Sequence, residues 1–204
     1  MTPNLTVRLL YGIGEGPGLD SRIRNAFASR GLDLFFGATR ADVILAHSGG
    51  ALELPNNLSD KIVILVAPSY GAAGHSIAGL CLRKVWQYLG YLARRGQLGR
   101  WAAKTVLNAR YFLTQLPRAL RMYLAIKNNP TLLPEFFAQQ TIIVRYLEDP
   151  WSALITPAEA AKYPQYSFID LPGSHDNLWT NPEPLAQALA GAMLPTSSAA
   201  HVTL

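Results

Sequence analysis

Three short runs constrain this chain more than anything else in it: VILA at 43–46, IVILVA at 62–67 and TIIV at 141–144. A strand with one wet face alternates apolar and polar side chains, whereas a strand covered on both faces has no need to. Runs this short are also poor buried helices, which need roughly 10 residues or more. They therefore read as central strands of a parallel sheet with helices on both sides. The full set of expected strands is 6–11, 32–36, 42–46, 62–67, 141–147 and 166–171. Helical patterns fall between them at 19–29, 157–162 and 182–193. The last carries a start signal, Thr180-Asn181-Pro182-Glu183, a T-x-x-E capping box with proline near the first turn. Alternation of strand and helix predicts an open α/β fold with a mostly parallel sheet of about six strands.

Residues 76–138 break this rhythm. Cys81, Val85, Tyr88 and Leu92 recur at helical spacing, and Pro117, Pro130 and Pro134 act as breakers. Charge marks the same segment. Between Lys61 and Pro134 there are eleven Lys or Arg and no Asp or Glu, which leaves seven basic residues against thirteen acidic ones elsewhere. The organisation expected is a core formed by 1–72 and 139–195, an all-helical basic insertion at 73–138, and a loose tail at 196–204. A chain that is 50% hydrophobic and 15% charged is suited to a packed core rather than to disorder. The lone Cys81 allows no intrachain disulfide. The N-terminus lacks a basic region followed by an apolar stretch of roughly 7–15 residues, and nothing approaches the ~18 apolar residues of a membrane span. A cytoplasmic location is the expectation.

In open α/β sheets ligands bind beyond the carboxyl ends of the strands, so the residues just after each strand carry most of the chemistry. Here those positions give the loop Gly12-Ile13-Gly14-Glu15-Gly16, then Ser48, then Asp149, then His175. Serine, acid and histidine in that order suit nucleophilic acyl transfer. The serine attacks, the histidine takes its proton, and the acid fixes the histidine's tautomer. Ala46-His47-Ser48-Gly49-Gly50 fits small-x-Ser-x-Gly, in which a nucleophile on a sharp bend needs small neighbours two positions away. His175 lies in a loop between the last strand and the last helix, where it can reach a serine at the sheet's edge. Pro150 holds Asp149 in an extended or turn geometry, and Glu148 is the competing acid. His47 should point away from the serine along the pleat and pack.

Two other patterns compete with this one. Gly74-His75-Ser76-Ile77-Ala78 matches the serine motif equally well, but Ser76 lies nine residues past its strand and suits a helix cap. The first loop also resembles a dinucleotide fingerprint, yet G-x-G-x-x-G would need glycine where Pro17 stands. Its use is more consistent with oxyanion binding. Backbone N–H groups of Ile13 or Gly14, together with Gly49, are the expected donors.

Taken together, the glycine-rich first loop, the His-Ser-Gly-Gly-Ala bend and the ordered Ser48, Asp149 and His175 resemble the α/β-hydrolase superfamily. Within it they are similar to compact serine hydrolases of the retinoblastoma-binding-protein type, over residues 5–50 and 141–190. The resemblance implies a three-layer fold with a helical cap and a Ser48–His175–Asp149 triad. It also implies hydrolysis of a carboxylic ester or thioester, as by a carboxylesterase, with no metal and no organic cofactor. The aromatic, basic insertion is placed to roof the site, receive an acyl substrate and attract an anion or an anionic membrane surface. No nucleic-acid motif accompanies its charge. Two features depart from the family pattern. ALELPNNLSD leaves room for only a turn or two after Ser48, and FGATRAD is too short for a crossover helix. One layer should therefore be thin, to be covered by the insertion or by a second subunit in a homodimer. The alternative function is a non-catalytic binding protein that uses the basic cap for an anionic ligand, a membrane surface or a protein partner.

Overall fold

A computed structural model describes residues 5–12, 21–36, 40–68, 117, 121, 124, 138–149, 156–175 and 177–193. Six strands, β1 (Leu5–Leu10), β2 (Leu32–Phe36), β3 (Val43–His47), β4 (Leu58–Val66), β5 (Ala138–Tyr146) and β6 (Tyr166–Leu171), form one sheet. Its order is β2-β1-β3-β4-β5-β6, and every pairing is parallel. All five residues of β3 are buried, as expected of a strand covered on both faces.

Alternate residues of β3 feed two cores. Val43 and Leu45 face a cluster built with Ile23, Ala26 and Phe27 of α1 (Ser21–Ala28) and Leu185, Ala186 and Leu189 of a long C-terminal helix. Ile44 and Ala46 face the other way, onto Ala51, Leu58 and Tyr166. Among the described residues that second face is covered lightly. A 3-10 helix (Ser48–Glu53) supplies Ala51 and Leu52, and one turn, α2 (Pro157–Ala160), supplies Ala160. ALELPNNLSD accordingly leaves room for only a short 3-10 helix after the β3 strand end. Helices on both faces of the sheet make this a three-layer α/β fold.

The strand ends differ from the apolar runs for a physical reason. β4 begins at Leu58, four residues before the expected start, because the exposed Ser59 and Asp60 project beyond the core and carry no apolar signal. Leu147, read as strand, lies in the turn after β5 and is 65% exposed. The short link from β2 to β3 is explained by register. Phe36 lies level with Leu9, whereas Val43 lies level with Val7, so the chain steps back by only two residues while crossing β1. No crossover helix is needed for that distance.

The helix expected at 157–162 ends at Ala160. A further single turn, α3 (Asn177–Thr180), follows the His175 loop, and α4 (Glu183–Met193) is the long C-terminal helix. At its start Glu183 turns outward, with one carboxylate oxygen accepting from Arg22 Nε at 3.1 Å and the other from Arg22 Nη2 at 3.2 Å. The side chain that the capping-box motif would send back to Thr180 instead ties α4 to α1. Of the 73–138 insertion only residues 117, 121, 124 and 138 are described, and Ala138 already belongs to β5. The cap otherwise lies outside the described residues, as do Ile13, Gly14, Ser76 and the 196–204 tail. Among the described residues no helix is long and apolar enough to cross a membrane.

Candidate active site

The strand order sets where a ligand can enter. β1 connects to β2 on one side of it, and β3 connects to β4 on the other, so the loops leaving β1 and β3 diverge. Such a switch point opens a crevice at the carboxyl ends of two neighbouring strands. Gly12 ends β1 on one wall, and Ser48 ends β3 on the other.

Ser48 sits on a strained bend. His47 is still extended, with φ −97° and ψ 133°, Ser48 has φ +53°, and the 3-10 helix begins at the serine itself. A left-handed conformation costs a residue with a Cβ about 1–2 kcal/mol, so the surroundings must impose it. The imposing contacts are close. A Cβ on Gly50 would run into the carbonyl of Leu10 and lie 2.9 Å from Tyr11 N, so the bend can seat itself on β1 only with glycine there. A Cβ on Gly12 would lie 3.0 Å from Gly49 N and 3.1 Å from Ser48 Oγ. Gly12 therefore keeps open the space in front of the serine and the neighbouring amide. Its glycine-rich setting was legible in the sequence, but this particular duty was not, because it depends on how closely β1 and β3 approach.

Asp149 and His175 meet on the same edge of the sheet. His175 Nδ1 lies 3.0 Å from Asp149 Oδ2, and both side chains are almost completely buried. Asp149 stands in a turn closed by its own amide on the Tyr146 carbonyl at 3.0 Å. Of the two acids considered, Glu148 is exposed and Asp149 is the one on the histidine. Burial first, and then the negative charge of Asp149, push the Tyr146 hydroxyl well above its ordinary pKa, so the group beside the pair is a neutral phenol. The His175 loop is braced locally. Asn177 accepts from Ser174 N at 3.2 Å and donates to Pro172 O at 3.2 Å, while Glu148 N reaches Gly173 O at 3.0 Å.

The serine bend and the acid–histidine pair are connected through His47. Its Nε2 lies 2.9 Å from the His175 carbonyl oxygen, and its ring is tilted against the His175 ring with centroids 5.0 Å apart. His175 thus stands beside the bend that carries Ser48. Packing was expected for His47, which is fully buried; the hydrogen bond was not. Of the expected oxyanion donors, Gly49 is described and buried, with its amide facing the Gly12 gap.

No family model matches the sequence, and no curated protein matches it. Solved structures do. RedJ, a thioesterase from the prodiginine biosynthetic pathway of Streptomyces coelicolor, superimposes with a TM-score of 0.53 at 17% identity, covering 93% of this chain and 91% of its own. ClbQ, from the colibactin NRPS/PKS pathway, gives 0.52 at 11% identity over 92% and 96% of the two chains. BpoC of Mycobacterium tuberculosis, described as a putative non-heme bromoperoxidase, gives 0.50 at 15% over 91% and 90%. The chain has the α/β-hydrolase fold. The narrower likeness to the retinoblastoma-binding-protein type is not carried by these similarities.

Proposed function

We propose that this α/β-hydrolase-fold protein hydrolyses a carboxylic ester or thioester through an acyl-enzyme on Ser48. The observation that carries the reading is the buried His175–Asp149 pair, tied through His47 to the bend on which Ser48 is held at φ +53°. A buried acid–histidine pair and a strained serine on the same edge of the sheet suit catalysis better than a passive turn. Thioester cleavage gains weight from the thioesterase fold relatives, by analogy of fold alone.

In this mechanism Ser48 Oγ attacks the acyl carbon and its proton passes to His175 Nε2. Asp149 accepts the Nδ1–H bond and steadies the imidazolium. The N–H of Gly49, with that of Ile13 or Gly14, receives the developing oxyanion, each donor contributing about 3–4 kcal/mol. The 3-10 helix after Ser48 has only six residues, so oxyanion binding rests on these amides rather than on a long helix dipole. His175 returns the proton to the leaving alkoxide or thiolate, and a water that it then deprotonates attacks the acyl carbon and frees Ser48. The basic insertion, with ten Lys or Arg and the single acid Glu135 in residues 73–138, favours an acyl substrate that carries a negative group.

The test is steady-state hydrolysis of matched oxyester and thioester substrates. Ser48→Ala should lower kcat/KM by about 10³-fold or more for either class. Turnover that survives Ser48→Ala would rule out the acyl-enzyme.

A further inference from the structure

His47 links both halves of the proposed site: it is covalently next to Ser48, and its side chain is hydrogen-bonded to the backbone of His175. We propose that His47 is a positioning residue that locks the general base onto the nucleophile bend. The inference rests on the hydrolase reading and adds to it a backbone anchor for His175.

The geometry has three parts. Along β3, Val43, Leu45 and His47 share a face, the one under α1 and α4, so His47 leaves the strand on the side where the His175 loop and α3 pack. There its Nε2 meets the His175 carbonyl at 2.9 Å. Since a carbonyl only accepts, Nε2 carries the proton. Its ring is also fixed from two sides, tilted against His175 and edge-on to Trp179 with centroids 6.0 Å apart at 90°.

The consequence concerns His175. Asp149 holds the imidazole through Nδ1, and the ring's position also follows the backbone that carries it. The bond from His47 fixes that backbone. Because His47 and Ser48 are consecutive, the base is then referenced to the nucleophile itself and not only to β5. Misplacement of a catalytic group by about 1 Å can cost about 10²-fold in rate. Removing the donor should therefore act on the chemical step and leave ground-state binding nearly untouched.

Two variants separate positioning from packing. His47→Phe keeps the ring and the aromatic contacts but removes the donor, whereas His47→Gln keeps an amide N–H close to the position of Nε2. The rate of fluorophosphonate labelling at Ser48 and the separate values of kcat and KM are measured for both, with the far-downfield Nδ1–H resonance of His175 followed by NMR. The expected result is a loss of about 10- to 100-fold in labelling rate and kcat for His47→Phe, with KM within about twofold. Its downfield resonance should broaden or vanish, and His47→Gln should restore most of the rate and the resonance. Equal rates and an unchanged resonance in His47→Phe would overturn the proposal, as would a His47→Gln variant as impaired as His47→Phe. If wild-type protein fails to label, the hydrolase reading falls on that result alone. The NMR comparison then still decides whether His47 anchors His175.

Discussion

The two ends of the same six strands are built on opposite principles. At the amino ends the strands run out of the core into exposed polar residues, as Ser59 and Asp60 do in β4, and a register shift between Leu58 and Ile62 is tolerated. At or beyond the carboxyl ends of β3, β5 and β6 the chain carries buried polar side chains. Of four buried polar or charged residues found among those described, His47, Asp149 and His175 all lie there. So do the two non-glycine residues with positive φ, Ser48 and Ala67. Buried polar groups and backbone strain both cost stability. Their concentration at one edge coincides with the proposed site, while the apolar middle of the sheet supplies stability.

That contrast can be broken from either side. The largest stability effect should come from the middle. Leu45→Ala removes a fully buried side chain from β3 and should cost about 2–5 kcal/mol in chemical denaturation. Any folded fraction should label at Ser48 as the wild type does. Gly12→Ala should do the reverse. Its methyl would crowd Ser48 Oγ and Gly49 N at 3.0–3.1 Å, slowing fluorophosphonate labelling by about 10²-fold with a much smaller change in denaturation midpoint. Ser48→Gly sharpens the comparison further, because it relieves the strain. Thermal unfolding should show a gain of about 1 kcal/mol while hydrolysis is lost.

The smallest effect lies away from the site. Arg22 holds the Glu183 carboxyl below its ordinary value through a hydrogen bond, and both side chains are about half exposed. A depressed carboxylate contributes stability above its unfolded pKa and loses it as pH falls through the folded one. Arg22→Ala should thus cost roughly 0.2–1 kcal/mol at neutral pH, and the difference from wild type should shrink as pH falls through the lowered carboxylate range and Glu183 takes up its proton. Urea midpoints across that range check the sign.

Much of this layout is visible in the sequence, and the parts that are not share a cause. The central strands β3, β4 and β5 announce themselves because burial on both faces makes VILA, IVILVA and TIIV continuous. Ser48, Asp149 and His175 stand out because each directly follows a strand. The extra strand length at Leu58–Lys61 is hidden, since residues beyond the core carry no periodic signal. The α3 turn is hidden too, because a single turn of NLWT offers no period to detect. The duties of Gly12, Gly50 and His47 depend on which strand lies beside β3 and on how the His175 loop returns to it. Those distances arise only on folding, and no spacing along the chain encodes them.

The most direct measurement is to treat the purified protein with a fluorophosphonate and map the adduct by mass spectrometry, with Ser48→Ala and Ser76→Ala variants alongside. The account predicts one adduct, on Ser48, that survives Ser76→Ala and disappears in Ser48→Ala. Folded protein that takes up no label, or a label carried by Ser76, would contradict it and turn attention to the basic insertion as a binding surface.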